Sequence, residues 1–130
     1  IFAGKRTVDF NISHSGEFIL AVFAVGMDIG VDVQEMAECP DYMEIAENFY
    51  TAEEAEDVKN EGPDLFFQYW AAKEAYVKAL GIGLGRGMDF FSVRNGKIAE
   101  KDKKDQDWFL YPVRIKGYAA YVAAHKKGDR

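Results

Sequence analysis

The sequence has few cysteines, fewer basic than acidic residues, and no long apolar run. Its one cysteine, Cys39, excludes an internal disulfide and a metal centre built from several cysteines. The 16 basic and 22 acidic residues give a net charge of −6, which disfavours a nucleic-acid binder because such proteins need a basic face. The longest apolar run, residues 18–25, has the length of a strand and falls short of the roughly 20 residues of a membrane helix. We therefore expect neither a nucleic acid nor a membrane as partner.

The first residues of the sequence do not resemble a signal peptide. It begins at Ile1 instead of methionine, and residues 1–7 lack the charged-then-apolar pattern of a signal peptide. A single cysteine fits a reducing compartment. These observations predict a cytoplasmic protein whose sequence, as given, is excised from a longer chain.

Aromatic residues are abundant, and they predict a well-packed core. Ten Phe, seven Tyr and two Trp, in a composition that is 48% hydrophobic, argue against disorder. A chain of 130 residues has the size of a single domain. We therefore predict one domain over residues 1–130.

The predicted strands lie at both ends of the chain. Alternating apolar residues and turn residues place them at 8–12, 18–25, 29–34, 90–94, 97–100, 108–115 and 118–124. Residues 13–16 are predicted to form a polar turn, 26–28 a hairpin turn, and 125–130 a polar tail. An Asn-Gly pair at 95–96 predicts a hairpin between the fourth and fifth of these strands.

Three helices are predicted between the strands, at residues 41–50, 51–60 and 65–80. Thr51 and Glu54 form a capping box that opens the second helix, Asp64 is expected to cap the third, and Gly81 to end it. The order of strands, helices and antiparallel strands predicts an α+β fold, with an antiparallel sheet packed against the long third helix.

The long helix carries an unusual set of charges. Lys73, Glu74 and Lys78 interrupt an otherwise apolar segment, and Glu74 lies one turn from both Trp70 and Lys78. A core helix has no packing use for these charges. A magnesium–phosphate site does, because the metal needs a carboxylate and the phosphate oxygens need ammonium groups.

Four segments occur in the order and spacing of a known family. They are a polar segment, a Gly-x-Asp segment, a junction between helices and the charged helix: 11–15 (NISHS), 30–34 (GVDVQ), 49–54 (FYTAEE) and 70–81 (WAAKEAYVKALG). Over residues 9–124 the sequence resembles the 4′-phosphopantetheinyl transferase superfamily. The NISHS segment is similar to the larger type, whose chains have two related halves. The resemblance implies that this chain is the second half with the last strands of the first, and that the part before it is missing.

The resemblance implies a magnesium-dependent transfer of 4′-phosphopantetheine from coenzyme A to a serine of an acyl or peptidyl carrier protein, releasing 3′,5′-ADP. Asp32, Gln34 and Glu74 match the metal-binding positions. Many relatives carry glutamate at position 34. Gln34 shares a strand face with Asp32 but offers a carbonyl oxygen without charge. We therefore expect weaker Mg²⁺ binding than in those relatives, or a water in this place.

The catalytic positions implied by the resemblance are Glu54, Lys73 and Glu74. Glu54 is expected to act as base for the carrier serine. Lys73 is expected to lie near the phosphate and to protonate or stabilise the leaving nucleotide.

Coenzyme A is expected to be bound by Ser13, His14, Lys73 and Lys78. Ser13 and His14 match the segment that contacts its phosphates, and Lys78 would hold the pyrophosphate as a point charge. The partner would be a carrier protein with an acidic recognition helix, contacted by an apolar patch and a few Lys or Arg near residues 41–60. An exposed apolar face between the halves would allow a dimer.

Plainer interpretations remain open at this point. Glu74 and Lys78 could be an ordinary surface pair, Glu54 is explained by its capping box, and His14 could be a turn residue. The chain as a whole could be a non-catalytic half-domain that binds coenzyme A or a carrier protein, or an unrelated magnesium phosphotransferase.

Overall fold

The computed structural model describes residues 2–3, 6–83, 87–100, 103 and 107–127. Within them the chain forms eight strands and three helices: β1 (Phe2–Ala3), β2 (Arg6–Ser15), β3 (Phe18–Val25), β4 (Met27–Glu35), α1 (Tyr42–Phe49), α2 (Ala52–Glu61), α3 (Pro63–Leu80), β5 (Phe91–Ser92), β6 (Ala99–Glu100), β7 (Phe109–Pro112) and β8 (Tyr118–Lys126). Among the described helices, none combines the length and apolar character needed to cross a bilayer.

The strands form three antiparallel sheets, ordered β1-β2-β3, β4-β8-β7 and β5-β6. Helix α3 packs on one face of β4 and β8, so the predicted α+β arrangement of antiparallel sheet and long helix is confirmed.

Small residues allow α3 to lie close to the sheet. Ala75 of α3 and Ala119 and Ala123 of β8 are fully buried in the core. At Gly30 of β4, a Cβ atom would overlap the Ala75 carbonyl and the Ala79 amide. Gly30 therefore sets the distance between β4 and the part of α3 that carries Glu74 and Lys78.

Strand β2 is longer than predicted. Its pairing with β3 runs from Val8–Val25 to Ser15–Phe18, so only Gly16 and Glu17 are left to turn. The predicted turn at 13–16 is therefore wrong for its first three residues. The predicted strand 18–25 matches β3.

Strand β4 was expected to return along β3 through a hairpin at 26–28, and this prediction is wrong. In the described structure β4 pairs along its whole length with β8, from Met27–Lys126 to Glu35–Tyr118. A local turn pattern cannot report a strand that lies far along the sequence.

The other side of β4 is joined to β2 by side chains, not by a backbone ladder. Three alternate polar residues of β2 accept hydrogen bonds from alternate N–H groups of β4. The bonds run from Val31 to Asn11 Oδ1 (2.9 Å), from Val33 to Ser13 Oγ (3.0 Å) and from Glu35 to Ser15 Oγ (2.8 Å). We call these six residues the side-chain seam.

The helix boundaries follow the predicted caps with one exception. Thr51 and Glu54 form the capping box of α2, and Gly81 ends α3 in the left-handed conformation. The exception is Asp64, which lies inside α3, because the helix begins at Pro63 after Gly62. Proline favours the first helical position, where its missing N–H is not needed.

The last strands differ from prediction mainly in length. The predicted hairpin at 90–100 is reduced to the short pair β5–β6, with a 3-10 turn at Arg94–Gly96 between them. Strand β8 extends through His125 and Lys126, so the predicted polar tail begins too early. Residues 128–130 of the predicted tail lie outside the described residues.

Candidate functional site

The junction of β4 with α3 brings together three of the predicted site residues. Gly30 faces α3, and alternation along the strand places Asp32 and Gln34 on the same face. Glu74 and Lys78 lie one turn apart on α3. Their charges act on the Asp32 carboxylate, so Asp32, Glu74 and Lys78 form one electrostatic cluster.

The carboxylates of Asp32 and Glu74 lie in an unfavourable place for negative charge. Burial, and after it the charge of Glu74, raise the pKa of Asp32 to about 7, against the lowering effects of Lys78 and of the Ser13 hydrogen bond. Burial also raises the pKa of Glu74, with Lys78 opposing it. Two such carboxylates near one ammonium group leave excess negative charge at this junction.

Lys78 is held by the backbone of two strands. Its Nζ donates to the carbonyl oxygens of Ile12 (2.7 Å) and Val31 (2.8 Å). Burial lowers its pKa, while Asp32 and Glu74 raise it. An ammonium group has three donors, so one donor remains for a further acceptor such as a phosphate oxygen.

These residues fit a magnesium ion that is completed by water and substrate. Mg²⁺ commonly binds one or two carboxylates and takes its other ligands from water and phosphate oxygens. The clustered charges of Asp32 and Glu74 meet that description. In the described part of the chain, no group of three or more His, Cys, Asp and Glu side chains is placed to hold a metal.

Gln34 lies beside this cluster with its amide oriented along the strand. Its Nε2 donates to the Glu35 carbonyl at 3.3 Å. The Oε1 atom is the only atom of this side chain that can bind a metal. Gln34 also lines a cavity of about 200 Å³ with Cys39, Ile45, Phe66, Phe67 and Trp70.

Glu54 and Lys73 lie apart from the cluster, in a buried ion pair. Lys73 Nζ donates to Glu54 Oε1 at 2.6 Å and to the Phe91 carbonyl, and both side chains are 0% exposed. Glu54 also accepts the N–H groups of Thr51 (3.0 Å) and Val93 (2.7 Å). Burial lowers the pKa of Lys73, against the raising effect of Glu54. The pair thus joins α2, α3 and the β5 segment, and its catalytic role stays a prediction.

The two predicted coenzyme A residues of β2 point in opposite directions. Ser13 is buried and donates to Asp32 Oδ1 at 3.3 Å, so it lies at the cluster. His14 is exposed on the other face of β2, opposite Ile19. The structure therefore brings Ser13, but not His14, to Asp32.

Sequence reasoning missed the seam and the small cavity. The seam is present in the sequence as alternate polar residues, Asn11, Ser13 and Ser15, which were assigned in part to a turn. The period of two is the available signal, because it places all three on one strand face. The cavity has no such signal, since it depends on the packing of α1 against α3.

Comparison with known proteins gives the family. The family model for the 4′-phosphopantetheinyl transferase superfamily matches residues 28–124. The 4′-phosphopantetheinyl transferase Sfp of Bacillus subtilis is 38% identical over 89 residues, covering 65% of this chain and 38% of the relative. A putative 4′-phosphopantetheinyl transferase of Synechocystis is 37% identical over 65% of this chain and 36% of the relative.

A mammalian relative covers more of the chain at lower identity. The L-aminoadipate-semialdehyde dehydrogenase-phosphopantetheinyl transferase of Rattus norvegicus is 29% identical over 93% of this chain and 47% of the relative. The chain thus spans 36–47% of the length of these three relatives. With a family match over most of its residues, the chain belongs to the 4′-phosphopantetheinyl transferase superfamily.

Proposed function

We propose that this chain contributes the metal- and phosphate-binding part of a 4′-phosphopantetheinyl transferase. The reaction moves 4′-phosphopantetheine from coenzyme A to a serine hydroxyl of a carrier protein and releases 3′,5′-ADP. The observation that supports it is the cluster of Asp32, Glu74 and Lys78 at the β4–α3 junction, in a chain of this superfamily. The cluster joins excess carboxylate charge to a free ammonium donor, as a magnesium–pyrophosphate site requires.

In this proposal Asp32 and Glu74 hold Mg²⁺, and Gln34 Oε1 is a further ligand directly or through water. The ion would neutralise the negative charge of the pyrophosphate. Lys78, fixed by the carbonyls of Ile12 and Val31, directs its third N–H toward a phosphate oxygen. Because both carbonyls belong to strands, this ammonium group is positioned before the substrate binds.

The proposed catalytic roles of Glu54 and Lys73 require a rearrangement. Both side chains are 0% exposed, and their polar atoms bond to each other and to the segment 91–93. For Glu54 to accept a serine proton, or for Lys73 to reach a phosphate, that segment must move away. His14 keeps its proposed role as a phosphate contact from the exposed face of β2.

The proposed partner is a carrier protein, and the surface around α1 restricts how it binds. Several Lys or Arg residues were expected near 41–60, but this range contains only one, Lys59 at the end of α2. Helix α1 carries Glu44 and Glu47 and no basic residue. We therefore expect α1 to contact the partner through apolar side chains such as the half-exposed Phe49, and an acidic recognition helix to lie elsewhere. A cytoplasmic location remains part of this proposal.

One observation favours a second candidate function, a non-catalytic binder of coenzyme A or of a carrier protein. The bonds of Glu54 and Lys73 leave no predicted base or general acid free in the described structure. The cluster of Asp32, Glu74 and Lys78 would then bind pyrophosphate without turnover.

The test is to incubate the chain with Mg²⁺, coenzyme A and an apo carrier protein, and to follow the intact mass of the carrier. A gain of one phosphopantetheine group that is lost in Glu74→Ala, and kept in the exposed control Glu61→Ala at the end of α2, supports the transferase. Calorimetric binding of coenzyme A without any mass gain supports the binder instead. Neither binding nor transfer would overturn both.

A further inference from the structure

One hydroxyl group connects the side-chain seam to the cluster at the β4–α3 junction. Ser13 Oγ accepts the Val33 N–H at 3.0 Å and donates to Asp32 Oδ1 at 3.3 Å. Ser13 is 7% exposed, so water does not compete strongly for these two bonds. The side chain that joins β2 to β4 therefore also holds the carboxylate of Asp32.

The single proton of the Ser13 hydroxyl limits the acceptors to which this side chain can donate. A serine hydroxyl has one proton to donate. Phosphate oxygens accept hydrogen bonds, so a contact between Ser13 and a coenzyme A phosphate needs the proton that Asp32 receives. This geometry thus favours a carboxylate partner for Ser13 over a phosphate partner.

We propose that Ser13 is a positioning residue that orients the Asp32 carboxylate for a divalent cation. This inference rests on the proposed function, because it assumes a cation at Asp32 and Glu74. Hydrogen bonds from neighbouring groups hold metal-binding carboxylates in one orientation, and their loss typically weakens metal affinity by about 10–100-fold. Here the hydroxyl is itself fixed by the backbone of β4 through the Val33 N–H.

The seam supplies a matched control for this role. Ser15 accepts the Glu35 N–H at 2.8 Å, as Ser13 accepts that of Val33, and among the described residues no carboxylate accepts a hydrogen bond from Ser15. Ser13→Ala and Ser15→Ala each remove one seam bond. Only Ser13→Ala also removes the donor to Asp32.

The experiment measures Mn²⁺ binding to the full chain without coenzyme A, by electron paramagnetic resonance, and the melting temperature of each variant. We expect Ser13→Ala to bind Mn²⁺ about tenfold more weakly than the native chain. Ser15→Ala should keep native affinity, and Ser13→Thr, which retains a hydroxyl, should restore most of it. Circular dichroism identifies any variant that fails to fold. If Ser13→Ala does not fold, Ser13→Cys replaces it, because its thiol is only a weak donor, and it should bind Mn²⁺ more weakly than Ser15→Ala.

The possible results separate the failure of this inference from the failure of the proposed function. Equal Mn²⁺ affinities for Ser13→Ala and Ser15→Ala, with binding abolished in Asp32→Asn, overturn the positioning role and keep the metal site. Weaker metal-free binding of coenzyme A to Ser13→Ala, with unchanged Mn²⁺ affinity, makes Ser13 a phosphate contact instead. No Mn²⁺ binding by the native chain, either alone or with coenzyme A present, overturns the proposed metal site itself.

Discussion

At the scale of single residues, Asp32 illustrates the energetic cost of a buried carboxylate. Burial and the charge of Glu74 raise its pKa to about 7 from an ordinary value of 3.8. Between these values the folded chain binds a proton more tightly than the unfolded chain does. The free energy of unfolding of the metal-free chain therefore falls as pH rises through this window.

Asp32→Asn should remove this pH-dependent fall in the free energy of unfolding, because an amide does not ionise. In the absence of divalent cations we expect the variant to be more stable than the native chain at pH 8, by about 1–3 kcal/mol. The difference should disappear only near pH 3, below the ordinary pKa, where the carboxyl is protonated in the folded and the unfolded chain alike. Urea unfolding at the two pH values measures it. An equal difference at both would show that Asp32 ionises normally.

In the proposed metal site, position 34 affects how much negative charge is offered to a cation. Gln34→Glu adds a carboxylate on the strand face of Asp32, so we expect tighter Mg²⁺ binding and a lower Mg²⁺ concentration for half-maximal activity. Calorimetry with Mg²⁺ measures the affinity. Unchanged affinity, together with an unchanged magnesium requirement, would show that position 34 lies outside the metal site.

The members of the cluster could be predicted from the sequence, whereas the hydrogen bonds around them could not. Glu74 and Lys78 could be paired from helical spacing, and Asp32 was linked to them through the family resemblance. The bonds of Lys73 to Phe91 and of Ser13 to Asp32 could not be predicted, because they depend on how distant segments pack. Lys73 and Glu74 are adjacent in sequence, yet helical geometry separates them by about 100° around the axis, so only one of them reaches the cluster.

At the scale of elements, the buried pair of Glu54 and Lys73 fastens α2 and the β5 segment to α3. Removing one partner leaves the other as a buried charge without compensation, which typically costs about 3–5 kcal/mol. Glu54→Gln should therefore lower the free energy of unfolding by an amount of this order. Because Glu54→Gln is expected to lose stability, a loss of activity in this variant cannot by itself identify Glu54 as a catalytic base.

A double variant separates the structural from the catalytic role. In Glu54→Gln combined with Lys73→Met, both charges are absent, so stability should return most of the way to the native value. Glu53→Gln, at a largely exposed position on the same helix, serves as control and should change stability by less than about 0.5 kcal/mol. Thermal unfolding measures all three. No recovery in the double variant would contradict the role of the pair as a compensated ion pair.

Gly30 sets the position of α3 on β4. Gly30→Ala places a methyl group against the Ala75 carbonyl and the Ala79 amide, so the helix must shift. We expect a loss of about 1–3 kcal/mol in stability and weaker Mn²⁺ binding, because Glu74 moves relative to Asp32. Gly83→Ala is the control, since a methyl group there meets no atom within 4 Å. Native Mn²⁺ affinity in Gly30→Ala would show that the site tolerates this displacement.

Helices could be predicted more closely than strand pairings. The capping box of α2 and the glycine that ends α3 are local signals, and both are confirmed. The partner of β4 is not a local property. Gly26 does turn the chain with a positive φ of 70°, but the turn leads β4 into a different sheet from β3.

At the scale of the whole molecule, the β2–β3 hairpin exposes an apolar face. Cross-strand partners share a face, which places Phe10, Ile12, Phe23 and Val25 together, and Phe10 and Phe23 are 62% and 64% exposed. The other face of the hairpin carries the seam residues that bond to β4. The predicted dimer between exposed faces stays a prediction, with this hairpin as the surface to test.

Replacing Phe10 and Phe23 by serine should reduce self-association, because it removes two large apolar side chains from this face. The two rings are stacked with centroids 6.2 Å apart, so the double variant removes one contact patch. Sedimentation velocity over a range of concentrations measures the effect, and Mn²⁺ binding should be unchanged. A native chain that sediments as a monomer throughout would contradict the predicted dimer.

The seam between β2 and β4 also makes the pairing of these strands depend on the identity of particular amino acids. A backbone ladder tolerates most substitutions, since its donors and acceptors are the same in nearly every amino acid. The seam has no such tolerance, because each of its bonds belongs to one particular side chain: Asn11, Ser13 or Ser15. The attachment of the hairpin, and with it the Ile12 carbonyl that holds Lys78, is therefore encoded in three codons at alternate positions, where a single nucleotide change can remove a bond.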